Sequence, residues 1–68
     1  MLKNWNHDLV QQLSEISDSA WRMDQYLATS KDCAHCNGLW QKLKADYESH
    51  VQLLAGEISR HCGEGRFD

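Results

Sequence analysis

Apolar residues return every three or four positions along most of this chain, and nowhere is a strict alternation with polar residues sustained. Leu9, Leu13, Ile16, Ala20, Met23 and Leu27 form one such series, the spacing that aligns side chains on one face of an α-helix. Leu2 and Trp5 extend it backward, and Val10, Ser17, Trp21, Asp24 and Ala28 form a second row beside it. Asn4 or Asn6 is placed to cap the start, with Asp8 in the opening turn favourable against the helix dipole. Ser17-Asp18-Ser19 is a weak helix-forming stretch, but the apolar phase carries through it. One helix over about residues 5–29 is the expectation.

Thr29-Ser30-Lys31-Asp32 reads as a turn, with Ser30 or Asp32 as the next cap. Beyond it Cys33, Cys36, Trp40, Leu43, Tyr47, His50, Leu54, Glu57 and His61 keep the three-four spacing, widened by Val51, Ile58 and Cys62. The pattern predicts a second helix over about residues 33–62. Asn37-Gly38 is either a pair of weak formers inside it or a turn that extends to 37. Gly63 is the expected terminator, followed by a frayed tail over 63–68.

The predicted fold class is therefore all-α: a two-helix antiparallel hairpin in a single domain of 68 residues. Proline is absent and only four glycines occur, in keeping with long uninterrupted helices. Rods of this length run about 37 to 45 Å. Side by side they leave Val10, Trp21, Trp40 and Leu53 uncovered. Those four residues are the predicted interface of a homodimer in which two hairpins make a four-helix bundle.

Charge narrows the partners. Seven basic residues are scattered among ten acidic ones, for a formal charge of -3, so no basic stripe offers itself to nucleic-acid phosphates. No run of about 18 apolar residues suggests a membrane span, and Met1 to Val10 lacks the apolar core of a secretory signal. A cytoplasmic location is expected, where thiols stay reduced. The odd number of cysteines, three, fits poorly with a secreted disulfide framework.

Candidate chemistry centres on Cys33-Ala34-His35-Cys36. Three readings are open: small apolar packing in the core, a metal site, and thiol chemistry. Two thiolates at this spacing reach one zinc ion, but a structural site takes four ligands. A dimer with turns together supplies four thiolates. A head-to-tail dimer instead brings His7, His61 and Cys62 of the other copy, which gather at the open end of the hairpin. Near a helix N-terminus a thiolate is also stabilised by free N–H groups. The Cys-x-His-Cys order resembles the active-site motif of thioredoxin-fold oxidases, which implies redox activity at Cys33 and Cys36. The surrounding strands of that fold are not predicted here.

A second constellation, Asp24, Asp46, His50 and Glu57, combines carboxylates with imidazole. Asp46 lies four residues before His50 and Glu57 four before His61, a spacing at which the two groups share a metal or a hydrogen bond. The segment Asp46-Tyr-Glu-Ser-His50-Val-Gln-Leu-Leu54 resembles the ligand-bearing helix of ferritin-like hairpins, which implies iron binding in a dimeric bundle; Tyr47 stands where that family's glutamate lies. The CxxC also resembles that of zinc-binding anti-sigma modules, with Thr29 in place of their histidine.

No nucleophile, base and orienting group fall into a convincing set. The reading that results is a non-enzymatic binding or adaptor hairpin that homodimerises and binds a partner protein, with its CxxC turn open to a structural metal, zinc being the candidate. The alternative is a metal-handling or thiol-redox accessory protein using Cys33 and Cys36. A ferritin-like iron binder comes third.

Overall fold

The apolar series emerges as two long helices. In the computed structural model, which describes all residues from Met1 to Asp68, α1 spans Asn4–Thr29 and α2 spans Ala34–Gly63. They lie antiparallel and in contact along their length, within an envelope of 49 × 18 × 12 Å. Ser17-Asp18-Ser19 does not interrupt α1, and Asn37-Gly38 lies inside α2. No helix is long and apolar enough to cross a membrane.

The caps differ from those the sequence suggests. Lys3 occupies the N-cap of α1 and provides no side-chain hydrogen bond; Asn4 and Asn6 are both inside the helix. Asp8 falls beyond the first turn, which holds no acidic residue. At α2 the cap is Cys33 rather than Ser30 or Asp32, with its backbone extended at φ -125° and ψ 105°. Arg60 and His61 sit in the last turn of α2, where positive charge complements the helix dipole.

Gly65, and not Gly63, makes the stop. Its φ of +68° is the left-handed conformation that costs glycine little. The Gly65 N–H donates to the Cys62 carbonyl at 3.1 Å and the Arg66 N–H to the His61 carbonyl at 2.8 Å. This pair of bonds is the Schellman arrangement, and it satisfies carbonyls that the helix end leaves free. The chain is thereby turned back toward α1, so the tail expected to fray is held. The Lys3 N–H donates to the Asp68 main-chain oxygen at 2.6 Å, and Lys3 Nζ lies 3.8 Å from the Asp68 carboxylate.

Between the helices the seam is thin. Leu9, Leu13, Ile16, Ala20 and Leu27 of α1 are half-buried, as are Leu43, Tyr47, Val51, Leu54 and Ile58 of α2. Met23, at 4% exposure, is the one apolar side chain that is fully covered. Two cylinders touching along a line can seal only a narrow strip of each. Where α1 approaches the turn, Tyr26 and Trp40 stack at 4.9 Å between ring centroids, tilted by 48°, a separation at which aromatic pairs attract. Lower down, Lys44 Nζ reaches across to Asp24 at 2.8 Å.

Candidate functional site

The CxxC turn is built by the cap of α2. The Cys33 sulfur accepts the Cys36 N–H at 3.3 Å, the bond that serine or aspartate usually provides at this position. The Cys33 carbonyl accepts from the Asn37 N–H at 2.9 Å, the first full turn of the helix. Both thiols are exposed, so packing does not explain them. The Cys36 thiol beside it, and then the Cys36 and His35 amides, hold the Cys33 thiol below the ordinary cysteine range. Its neighbour is displaced the other way: the Cys33 sulfur beside Cys36 pushes the Cys36 thiol up. One sulfur of the pair is set to ionise before the other.

At the opposite end a polar cluster closes the hairpin. Asn6 is fully buried and His61 is 5% exposed. Asn6 Nδ2 donates to the main-chain oxygens of Arg66 at 2.7 Å and Asp68 at 3.2 Å. That leaves Asn6 Oδ1 to accept from His61 Nδ1 at 2.7 Å. On the other side of the ring, His61 Nε2 lies 3.0 Å from Glu57 Oε1. Both ring nitrogens thus face accepting oxygens, and no buried side-chain polar atom in the molecule lacks a partner. Arg60 also engages Glu57 from outside, and its guanidinium, with a smaller contribution from His61, lowers the Glu57 carboxyl below its usual range.

The other residues singled out in the sequence are dispersed. His7 is exposed and lies 3.6 Å from Asp8, and Cys62 is exposed. His61 has both nitrogens engaged, so His7, His61 and Cys62 do not make a ready ligand set within one chain. Asp24 pairs with Lys44 and Asp46 with Lys42, each at 2.8 Å. His50 is exposed, its ring edge-on to Tyr47, and Glu57 belongs to the cluster with His61. Asp24, Asp46, His50 and Glu57 therefore have separate partners. Nowhere in the chain do three His, Cys, Asp or Glu side chains converge as metal ligands.

The predicted interface residues divide. Trp21 is 81% exposed and Leu53 70%, and Val10 is exposed as well; Trp40 is half-covered by its stack on Tyr26. Trp5 and Leu39 join the exposed set. Trp5, Leu9, Gln12 and Leu54 line a groove that continues through Gln12, Ile16, Leu53 and Leu54. A second groove, beside Ala20, Trp21 and Val51, is crossed by the Asp24–Lys44 pair. Gln12 and Trp21 are nine residues apart on α1, half a revolution in phase, so the two grooves flank the seam on opposite sides.

Asn6, Lys44 and Gly65 were not candidate site residues in the sequence. Asn6 does fall in the apolar register of Leu2, Leu9 and Leu13, a signal that its amide is turned inward. Comparison with protein-family models, with curated proteins and with solved structures finds no match to the chain.

Proposed function

We propose that this chain is a non-enzymatic binding module that acts as a homodimer, two hairpins packing into a four-helix bundle that engages a partner protein. The observation that carries the reading is the imbalance of its apolar surface: Met23 is sealed, whereas Trp5, Val10, Trp21, Leu39 and Leu53 lie open. Covering a large apolar side chain contributes about 1.5 to 3 kcal/mol. Several such residues on two flanks favour association, set against the entropic cost of joining two chains. A chain this small gains stability from oligomerisation where its own core is slight.

A structural zinc at the turn depends on the same dimer. One chain presents the two sulfurs of Cys33 and Cys36, and a tetrahedral thiolate site needs two more. A dimer with its turns together provides them from the second copy, with one zinc per dimer as the expected ratio.

Sedimentation equilibrium tests the reading directly. Across micromolar concentrations the expected mass is twice that of the 7.9 kDa chain, with a melting temperature that rises with concentration. A well-folded single chain over the whole range would refute the dimer. Metal analysis of the same untagged sample determines whether zinc accompanies it.

A further inference from the structure

In a metal-free chain the same two sulfurs, which the dimer reading gives to zinc, are open to a different chemistry that does not depend on dimerisation. We propose that Cys33 and Cys36 form a thiol–disulfide exchange site, with Cys33 the attacking sulfur, Cys36 the resolving sulfur and a low-molecular-weight disulfide the oxidant. Both thiols are exposed at the turn, away from the helix seam, where a small disulfide has free access. They lie one helical turn apart, and the Cys33 sulfur sits within 3.3 Å of the Cys36 nitrogen.

Closing a bond between them asks little of the fold. The Cys33 sulfur already lies 3.3 Å from the Cys36 nitrogen, and a disulfide needs the two Cβ atoms about 3.5 to 4.5 Å apart. Cys33 is the cap, with extended rather than helical backbone angles. Rotation about the Cys33 side chain, at the edge of the helix, is the movement that closing the bond would use. The cap geometry assigns the roles: the Cys33 sulfur, at the N-cap of α2, accepts the Cys36 N–H at 3.3 Å, so a free helix-end donor faces the attacking sulfur.

Cys33 gives its proton to water, and its thiolate attacks one sulfur of the small disulfide, whose S–S bond breaks; the departing thiolate takes up a proton from water. Cys36 gives its proton to water and attacks the Cys33 sulfur of the mixed disulfide. The second small thiolate leaves and is protonated. Two electrons and two protons pass from the protein dithiol to the oxidant, which ends as two thiols. Cys62, exposed and at the far end of α2, is about 40 Å away along the helix. It provides an internal reference.

The test is to incubate the reduced full-length protein with glutathione disulfide near neutral pH, trap free thiols by alkylation, and map the products by mass. The expected product has lost two hydrogens, carries a Cys33–Cys36 link within one chain, and retains alkylated Cys62. Cys36→Ser should stop at a glutathione adduct on Cys33. In Cys33→Ser the adduct at Cys36 should form roughly threefold or more slowly than that at Cys33 in Cys36→Ser. Equal reactivity of all three cysteines would overturn the proposal. So would a Cys33–Cys33 link between copies, or thiols that react only after a chelator has removed bound zinc.

Discussion

Asn6 Oδ1 accepts a hydrogen bond from His61 Nδ1 at 2.7 Å, across a sequence separation of 55 residues. The contact joins the first turn of α1 to the last turn of α2, and the same asparagine amide secures the tail through Arg66 and Asp68. Buried polar groups with complete partners specify one alignment, whereas apolar seams tolerate sliding. In a hairpin whose apolar core amounts to Met23 and half-covered neighbours, this clasp adds a polar constraint on the register.

Removing the clasp should therefore cost more than an ordinary surface change. Asn6→Ala strands the Arg66 carbonyl and the His61 ring nitrogen, and should lower unfolding free energy by about 1 to 3 kcal/mol in urea titration. Hydrogen exchange at Lys3 and Arg66 should accelerate in parallel. Unchanged exchange at those amides would show that the tail is held by other contacts.

Acid should loosen the same end of the molecule. The Glu57 carboxyl is lowered in the folded chain, first by its hydrogen bond with Arg60 and in smaller part by His61. A group lowered on folding stabilises while it is ionised. Its contribution is full above the ordinary glutamate value and disappears as pH falls through the lowered folded value. Glu64, lowered by Arg66 and Arg60, has the same sign. The stability difference between the natural chain and Glu57→Gln should be greatest near neutrality and should vanish in strong acid, as measured by chemical denaturation across that range.

Gly65→Ala isolates the helix stop. A Cβ there would meet nothing within 4 Å, so any loss arises from the backbone at φ +68°. Thermal or urea unfolding should register a cost of about 1 to 2 kcal/mol. Gly63→Ala, in helical geometry and equally open, should be neutral or stabilising by a few tenths to about 1 kcal/mol. Similar losses in both variants would contradict the assignment of the stop to Gly65.

Trp21→Lys addresses the dimer. This side chain is largely exposed in the single hairpin, so the substitution removes little from the folded chain itself. If Trp21 lies in the contact between copies, the dissociation constant should rise at least tenfold, corresponding to about 1.4 kcal/mol. Lys42→Ala, on the exposed Asp46 pair, is the control and should leave the mass distribution unchanged.

Much of the fold was legible because helices announce themselves by local spacing. Leu9 through Leu27 and Leu43 through Ile58 repeat with the helical period, and a turn between them leaves an antiparallel hairpin as the short connection. The caps were less legible. Asn4 and Asn6 have the right chemistry for an N-cap, yet which residue starts a helix depends on where the backbone leaves the extended region. Cys33 took a role usually given to oxygen-bearing side chains. The candidate sites divided for a similar reason. The Glu57–His61 pair is a local relation within one helix and could be anticipated, whereas Asn6 completes that cluster from the other.

The periodic placement of apolar residues determined by itself that this protein is two helices, because helix formation follows from neighbours three and four positions away. It also placed Cys33 and Cys36 together at the connection, where three positions span one turn. Tertiary structure alone decided that Asn6 and His61 meet, that Asp24 pairs with Lys44, and that the tail folds back. Each of these depends on the alignment of one helix against the other, a relation between distant segments that no local period encodes.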